Sequence, residues 1–205
     1  MDKTVAIFGG SFNPVTNAHL SLAELIACQY ASRVVFLPVG DHYNKDDLLE
    51  AKHRVKMLKM ICKSNKRFSV SEIEVNSKVL LYTIDSLNIL KEKYPDHKLI
   101  YVMGSDNLKY FTKWKQYETL LKDFKFLVMK RDNDNPLNII NSDPVLSKYI
   151  DSFILTGEDI RNEGSATYIR NLIRSGKSVR YLVPDKVYYY IERHNLYKKK
   201  GDLNE

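Results

Sequence analysis

The feature that most constrains the fold lies near the amino terminus, where residues 5–20 read VAIFGGSFNPVTNAHL. Residues 5–8 are an unbroken apolar run rich in strand formers, as expected of a strand buried on both faces of a parallel sheet. Two glycines follow, and their missing side chains let a ligand approach main-chain N–H groups. Thr16 and Asn17 are good helix N-caps, and apolar residues recur behind them at helical spacing. The stretch therefore predicts a strand, a glycine turn and a helix.

This turn also predicts a phosphate site. Thr16 and His19 lie about one helical turn apart, beside Gly9 and Gly10 and at the positive end of a helix dipole, where phosphate is stabilised. The simpler alternative is that His19 merely starts an amphipathic helix, but the glycine turn in front of it favours the functional interpretation. The pattern is neither a Walker A loop nor the G-x-G-x-x-G fingerprint.

A second phosphate motif opens the helix predicted for residues 165–175. Ser165 and Thr167 offer hydroxyls at the helix N-terminus, and Arg170 adds a planar cation one turn later, a set suited to gripping terminal phosphates. The plain alternative is a capped helix with a surface arginine. Residues 161–200 carry ten lysines and arginines and three acidic residues. The resulting excess of positive charge equals the net charge of +7 for the whole chain. Such a segment suits a polyanion, either a nucleoside triphosphate or a nucleic acid.

Strand and helix patterns alternate along the chain. The predicted strands are residues 5–8, 33–39, 68–73, 98–103, 124–129 and 153–155, and predicted helices begin near Thr16 and cover residues 51–64, 83–94, 114–121, 165–175 and 184–194. This alternation implies right-handed crossovers and a mostly parallel sheet. We therefore expect one α/β domain over residues 1–205, Rossmann-like and doubly wound, with helices on both faces and a C-terminal helical segment.

The first residues lead into an apolar run too short for a signal peptide or a membrane span, so the expected compartment is the cytoplasm. Cys28 and Cys62 fall in helical patterns without metal-ligand spacing, and we expect both to be reduced and buried. No residue set predicts a dedicated metal site.

The run from Gly9 to Pro14, followed by Thr16 and His19, resembles the signature of the nucleotidylyltransferases, specifically the nicotinate/nicotinamide mononucleotide adenylyltransferases. Ala18 stands where that family usually has glycine, and Ala166 replaces a hydroxyl residue of its late Ser-Ser/Thr-Thr-x-x-Arg motif. The similarity continues through residues 178–197 and covers nearly the full chain.

The resemblance implies roles for individual residues. It implies that His19, Thr16 and Arg170 are catalytic. The residues implied to contact ATP are Gly9, Gly10, Ser11, Phe12, His19, Gly104, Asp106, Ser165, Thr167 and Arg170. Those implied to contact the mononucleotide are Ser11, Asn13, Tyr43, Lys45, Tyr82, Thr83 and Trp114. In physical terms Asp106 is a suitable acceptor for a vicinal diol, and Trp114 offers a flat face to a planar base, although core packing is the usual role of a single tryptophan.

The reaction implied is adenylyl transfer from ATP to nicotinic acid mononucleotide, giving deamido-NAD and pyrophosphate, with Mg²⁺ accompanying ATP. The expected partners are these small molecules, with no membrane and no nucleic acid. Residues 81–87 favour the acid, because free N–H groups at a helix N-terminus suit a carboxylate. Residues 40–43 and the C-terminal segment look closer to the branch that uses nicotinamide mononucleotide.

Three further alternatives stay open. The acceptor could be another molecule, such as phosphopantetheine. The chain could also be a non-catalytic nucleotide- or RNA-binding protein. Tyr188, Tyr189 and Tyr190 suit either a homo-oligomer contact or a core role.

Overall fold

The computed structural model describes residues 3–43, 47–130, 134–156 and 165–198. Six strands and seven α-helices are found there, with two 3-10 helices at Ser105–Lys113 and Leu146–Ser152. In chain order the elements are β1 (Thr4–Gly10), α1 (Asn17–Gln29), β2 (Arg33–Pro38), α2 (Ala51–Cys62), β3 (Phe68–Val70), α3 (Thr83–Lys93), β4 (Lys98–Gly104), α4 (Tyr117–Asp123), β5 (Lys125–Met129), α5 (Pro136–Ser142), β6 (Phe153–Leu155), α6 (Ala166–Arg174) and α7 (Asp185–Arg193).

All six strands pair in parallel, in the order β3-β2-β1-β4-β5-β6. The order reverses between β1 and β4, which lie side by side with Phe8 opposite Val102. In open α/β sheets, ligands bind outside the carboxyl ends of the strands at such a switch point. The carboxyl ends here are Gly10 on β1 and Gly104 on β4. The predicted Rossmann-like, doubly wound class is confirmed.

The sheet is covered on both faces, which is why β1 is apolar at every central position. One hydrophobic core lies between the sheet and helices α1, α2, α6 and α7. It includes Ala6, Phe8 and Phe36 from the strands and Met57, Ile169 and Val187 from the helices. A second core lies between the other face of the sheet and helices α3, α4 and α5. It includes Val5, Ile7, Leu37 and Phe126 from the strands and Leu87 and Ile140 from the helices. The C-terminal helices thus lie on the same face as the helix that follows the glycine turn.

Several local predictions are wrong. The helix predicted from Trp114 begins only at Tyr117, because Gln116 has a left-handed φ of +53° and Trp114 caps the preceding 3-10 helix. Both 3-10 helices and α5 were not predicted, since each is short and lacks a clear apolar period. The predicted burial of both cysteines is also wrong, because Cys28 is exposed and Cys62 is half-buried.

Candidate active site

A cavity of about 610 Å³ opens at the carboxyl edge of the sheet, at the switch point between β1 and β4. The glycine turn and His19 form one wall, residues 80–83 at the start of α3 form a second, and residues 113–115 close the third. Gly104 and Asp106 lie between these walls. The cavity thus gathers the predicted residues Gly9, Gly10, Ser11, Phe12, His19, Tyr43, Tyr82, Thr83, Gly104, Asp106 and Trp114.

His19 is held by the start of its own helix. The backbone N–H of Thr16 donates to Nδ1 of His19 over 3.1 Å, and the Thr16 hydroxyl accepts from the His19 backbone N–H over 3.3 Å. These two bonds form a capping box in which histidine takes the place usually held by glutamate or glutamine. Because a backbone N–H can only donate, Nδ1 is the acceptor, so the proton of the neutral ring is on Nε2. The imidazole is therefore a hydrogen-bond donor through Nε2.

Thr16 itself is completely buried, and its hydroxyl lies 2.9 Å from Nδ1 of His19. It does not line the cavity. Its side chain orients the imidazole, and the catalytic role of Thr16 stays a prediction.

The ring of Phe12 packs against the imidazole of His19. The Phe12 backbone takes a left-handed φ of +44°, which turns the ring inward until it is only 1% exposed. The ring centroid lies 5.2 Å from that of His19 and 5.4 Å from that of Phe36. The ring belongs to the core although the residue lines the cavity, and a contact between Phe12 and ATP stays a prediction.

Asn13 is also buried, with 1% of its surface exposed. Its side-chain amide donates to the carbonyl of Asp47 over 2.8 Å, and its oxygen accepts from the backbone N–H of Leu49 over 3.3 Å. Both ends of the amide are therefore occupied by the chain itself. The residue ties residues 47–49 to the turn, and its contact with the mononucleotide stays a prediction.

Arg170 reaches the same turn from α6. It is 7% exposed, and its Nη1 donates to the carbonyl of Asn13 over 3.0 Å while Nη2 donates to the Thr167 hydroxyl over 3.3 Å. The guanidinium is thus buried against the backbone of the turn, and its contact with phosphate stays a prediction. Ser165 caps α6 and is exposed together with Thr167, so their contacts with phosphate stay predictions.

Trp114 forms the far wall of the cavity and is half-buried. Its ring stacks on Phe111 with centroids 4.9 Å apart and meets Tyr101 edge-on at 6.2 Å. Tyr82 and Tyr43 lie at the rim with about half of their surfaces exposed. The remaining predicted mononucleotide contact, Lys45, lies outside the described residues.

Three charged residues of the cavity were not predicted, namely Glu74, Lys113 and Lys115. Lys115 has its ammonium 3.1 Å from both carboxylate oxygens of Asp85 and 5.0 Å from the centre of the Tyr82 ring. Glu74 accepts a 2.7 Å hydrogen bond from the Ser86 hydroxyl. Burial raises the pKa of Glu74 to about 7, although the Ser86 hydrogen bond acts to lower it. Glu74 directly follows the predicted strand 68–73, and the two lysines flank the predicted site residue Trp114, which are the signals that could have identified them.

The position of Glu74 gives an expected dependence of stability on pH. The unfolded carboxyl ionises near pH 4.5, whereas the folded one keeps its proton up to about pH 7. The contribution of the protonated carboxyl to stability is therefore complete below pH 4.5 and is lost as the pH rises through 7. Glu74→Gln cannot ionise, and we expect it to gain about 1–3 kcal/mol in free energy of unfolding over the wild type between pH 4.5 and pH 8. Urea unfolding at both pH values measures this, with Glu92→Gln on the surface of α3 as the control for loss of a charge. The expectation is contradicted if the free energy of unfolding changes by the same amount in wild type and Glu74→Gln between the two pH values.

Gly9 is required by close packing across the sheet. A Cβ at this position would overlap the hydroxyl of Tyr101 on the neighbouring strand β4. We expect Gly9→Ala to lower the free energy of unfolding by about 1–3 kcal/mol, as overpacked cores do. Gly10→Ala is the matched control, because its Cβ would come no closer than 3.2 Å to the Phe12 ring. Chemical denaturation of both variants checks this, and an equal loss in the two would count against the Tyr101 contact as the cause.

Within the described ranges, no three His, Cys, Asp or Glu side chains are grouped so that they could hold a metal ion. No helix in those ranges is long and apolar enough to cross a membrane.

Comparison with known proteins agrees with this geometry. The family described as cytidylyltransferase-like matches residues 7–172. A nicotinate-nucleotide adenylyltransferase of Bacillus subtilis is 32% identical over 199 residues, covering 96% of this chain and 99% of that protein. A protein of Flavobacterium johnsoniae named as a probable nicotinate-nucleotide adenylyltransferase is 34% identical over 200 residues, covering 95% and 99%.

Among solved structures, the Plasmodium falciparum nicotinic acid mononucleotide adenylyltransferase complexed with NaAD has a TM-score of 0.76 at 22% identity, covering 95% of this chain and 97% of that one. At that identity the likeness is one of fold. The sequence matches show the family as well as the fold, since they span nearly the whole chain at more than 30% identity. On these grounds the chain belongs to the nicotinate-nucleotide adenylyltransferases, within the cytidylyltransferase-like family.

Proposed function

We propose that this protein transfers the adenylyl group of ATP to nicotinic acid mononucleotide, forming deamido-NAD and pyrophosphate. The observation that carries the proposal is the position of His19, a fixed Nε2 donor at a helix N-terminus that lines the cavity beside the glycine turn. Backbone N–H groups and a helix N-terminus are a ready site for phosphate. The names of relatives that match over nearly the whole chain support the same reaction.

Two halves of the cavity suit the two substrates. ATP would bind over the glycine turn, with its triphosphate near His19 and its ribose near Asp106. The mononucleotide would place its pyridine ring against Trp114. Thr83 lies at the N-terminus of α3, whose positive potential on that side supports an acid acceptor over an amide.

The chemistry needs little from the protein beyond positioning. The 5′-phosphate of the mononucleotide is ionised at neutral pH, since its second pKa is about 6, so it can attack the α-phosphorus without a general base. The attack forms a new P–O bond in line with the one that breaks, and pyrophosphate leaves. The obstacle is repulsion between two polyanions and the charge that builds up on the α-phosphoryl oxygens. His19 would donate its Nε2 proton in a hydrogen bond to those oxygens.

Mg²⁺ would enter with ATP as part of the substrate. This ion keeps several waters and is commonly held by substrate phosphates and one or two carboxylates. The cavity fits that mode, because its described residues include no cluster of three ligands and the phosphates of ATP and waters would hold the ion. When bound, the ion would neutralise phosphate charge.

The test is to incubate the protein with Mg-ATP and one acceptor at a time, then identify the products by mass. The acceptors are nicotinic acid mononucleotide, nicotinamide mononucleotide and phosphopantetheine. We expect deamido-NAD and pyrophosphate, with a kcat/KM for the acid at least tenfold above that for the amide. A preference for the amide would assign the protein to the alternative acceptor. RNA binding without pyrophosphate release from any acceptor would contradict the enzymatic proposal.

A further inference from the structure

Arg54 is a charged residue with no exposed surface at all. It lies in the first turns of α2, and all three of its guanidinium nitrogens donate hydrogen bonds. Nε donates to the carbonyl of Leu49 over 2.7 Å, and Nη1 donates to the carbonyl of Ser11 over 3.0 Å. Nη2 donates to the carbonyl of Val39 over 2.8 Å and to Oδ1 of Asp41 over 3.1 Å. One side chain thus joins four separate points of the chain.

The stability of α2 does not explain this residue. A cation near the N-terminus of a helix faces the positive end of the dipole, which is unfavourable. Burial lowers the pKa of Arg54, so its charged form is disfavoured by its surroundings. Its acidic partner among the described residues, Asp41, has 59% of its side chain exposed and compensates only in part. The favourable contribution must therefore come from the backbone carbonyls that Arg54 holds.

Those carbonyls belong to the segments around the glycine turn. Ser11 is part of the turn, and Val39 follows β2, where its N–H donates to the carbonyl of Gly10 over 3.1 Å. Val39 is thus bound to Gly10 through its N–H and to Arg54 through its carbonyl. Leu49 belongs to the segment that also binds both ends of the Asn13 amide. Arg54 fixes the turn from behind, on the side away from the cavity.

We propose that Arg54 is a positioning residue that aims the N–H groups of the glycine turn at the phosphates during adenylyl transfer. This inference rests on the proposed function. The planar guanidinium can reach three backbone segments at once, whereas a lysine ammonium keeps the charge but has a single nitrogen. Misplaced N–H groups would stabilise the transition state less while still allowing substrates to bind, so kcat should suffer more than KM.

The first test is Arg54→Lys. We expect its kcat per folded molecule to fall at least tenfold, with KM for ATP and for the mononucleotide changing less than threefold. Arg67→Lys is the matched control, because Arg67 also donates to a backbone carbonyl, that of Ala27 over 3.2 Å, and pairs with Glu24 away from the turn. It should keep kcat within threefold. A wild-type kcat in Arg54→Lys would overturn the proposal.

The second test is chemical rescue. Arg54→Ala should recover at least fivefold in kcat when guanidinium is added at millimolar concentration, and ammonium at the same ionic strength should restore nothing. Equal effects of the two cations would overturn the proposal. If both variants are unfolded, and Arg54→Ala stays unfolded with guanidinium, then Arg54 is a folding residue and the proposal is likewise overturned.

A third measurement does not depend on turnover. The amide proton of Val39 should exchange with solvent at least tenfold faster in Arg54→Lys, because Val39 loses the hydrogen bond to its carbonyl. The amide of Lys98 is the control, since it donates to the carbonyl of Lys3 over 2.9 Å at the opposite edge of the sheet. Unchanged exchange at Val39 would overturn the proposal. If the wild type forms no dinucleotide, the proposed function fails, and this measurement still decides whether Arg54 holds the turn.

Discussion

Replacing His19 with alanine lowers kcat by about two to three orders of magnitude, while the protein still folds. The size follows from the loss of one preorganised donor at the position where charge develops, which typically costs that much in kcat. The backbone N–H of Thr16, 3.1 Å from Nδ1, fixes the direction in which Nε2 donates. Alanine has no donor to put in its place. Steady-state kinetics on the folded variant, checked by circular dichroism, measures the effect.

A second substitution separates the chemical role of His19 from its structural one. Asparagine at this position can still accept the Thr16 N–H and keep the capping box, but it offers no donor at the place of Nε2. We expect His19→Asn to retain more stability than His19→Ala, by about 1 kcal/mol, and to lose as much kcat. An asparagine variant with nearly wild-type kcat would remove the imidazole from the mechanism.

Replacing Trp114 with alanine lowers kcat/KM for the mononucleotide by about tenfold to a hundredfold. Stacking of a base on an aromatic side chain contributes roughly 1–3 kcal/mol per base, and the indole is held in place by Phe111 at 4.9 Å. The KM for ATP should change less than threefold, because ATP is expected on the opposite wall. Varying each substrate in turn at saturation with the other measures the two effects separately.

Tyr110→Ala is the matched control for Trp114. It removes an aromatic ring from the 3-10 helix that Trp114 caps, but this ring is 58% exposed and does not line the cavity. Trp114→Phe should recover part of the loss, since a smaller ring remains. The tryptophan is the only one in the chain, so its fluorescence also reports whether the mononucleotide binds beside it. Equal increases in both KM values for Trp114→Ala would contradict stacking on the pyridine.

Sequence patterns predicted those parts of the site that depend on residues close together in the chain. The capping box of Thr16 and His19 spans three residues, so helix periodicity and N-cap chemistry place the imidazole without reference to the rest of the fold. Gly104 lies far from the glycine turn in the chain, but the rule that ligands bind at the carboxyl ends of parallel strands placed both at one edge of the sheet. The first inference needs local rules alone, and the second needs only the predicted order of strands and helices.

What the sequence did not predict depends on contacts between distant segments. Asn13 belongs to the same turn as Ser11, and nothing local shows that residues 47–49 occupy its amide. Arg54 looks like an ordinary helix-surface cation until the fold brings three carbonyls to it. Arg170 is 157 positions from the carbonyl it binds, and a pattern of hydroxyls and a cation does not reveal which way the guanidinium turns.

The bond between Arg170 and Asn13 also bears on how the chain matures. The first turn of the protein is held by one of its last helices, so a growing polypeptide on the ribosome lacks that support until α6 has emerged. Contacts between such remote segments close late and slow the search for the native state. It follows that nucleotide-binding capacity should arise only after residues 166–174 have been synthesised.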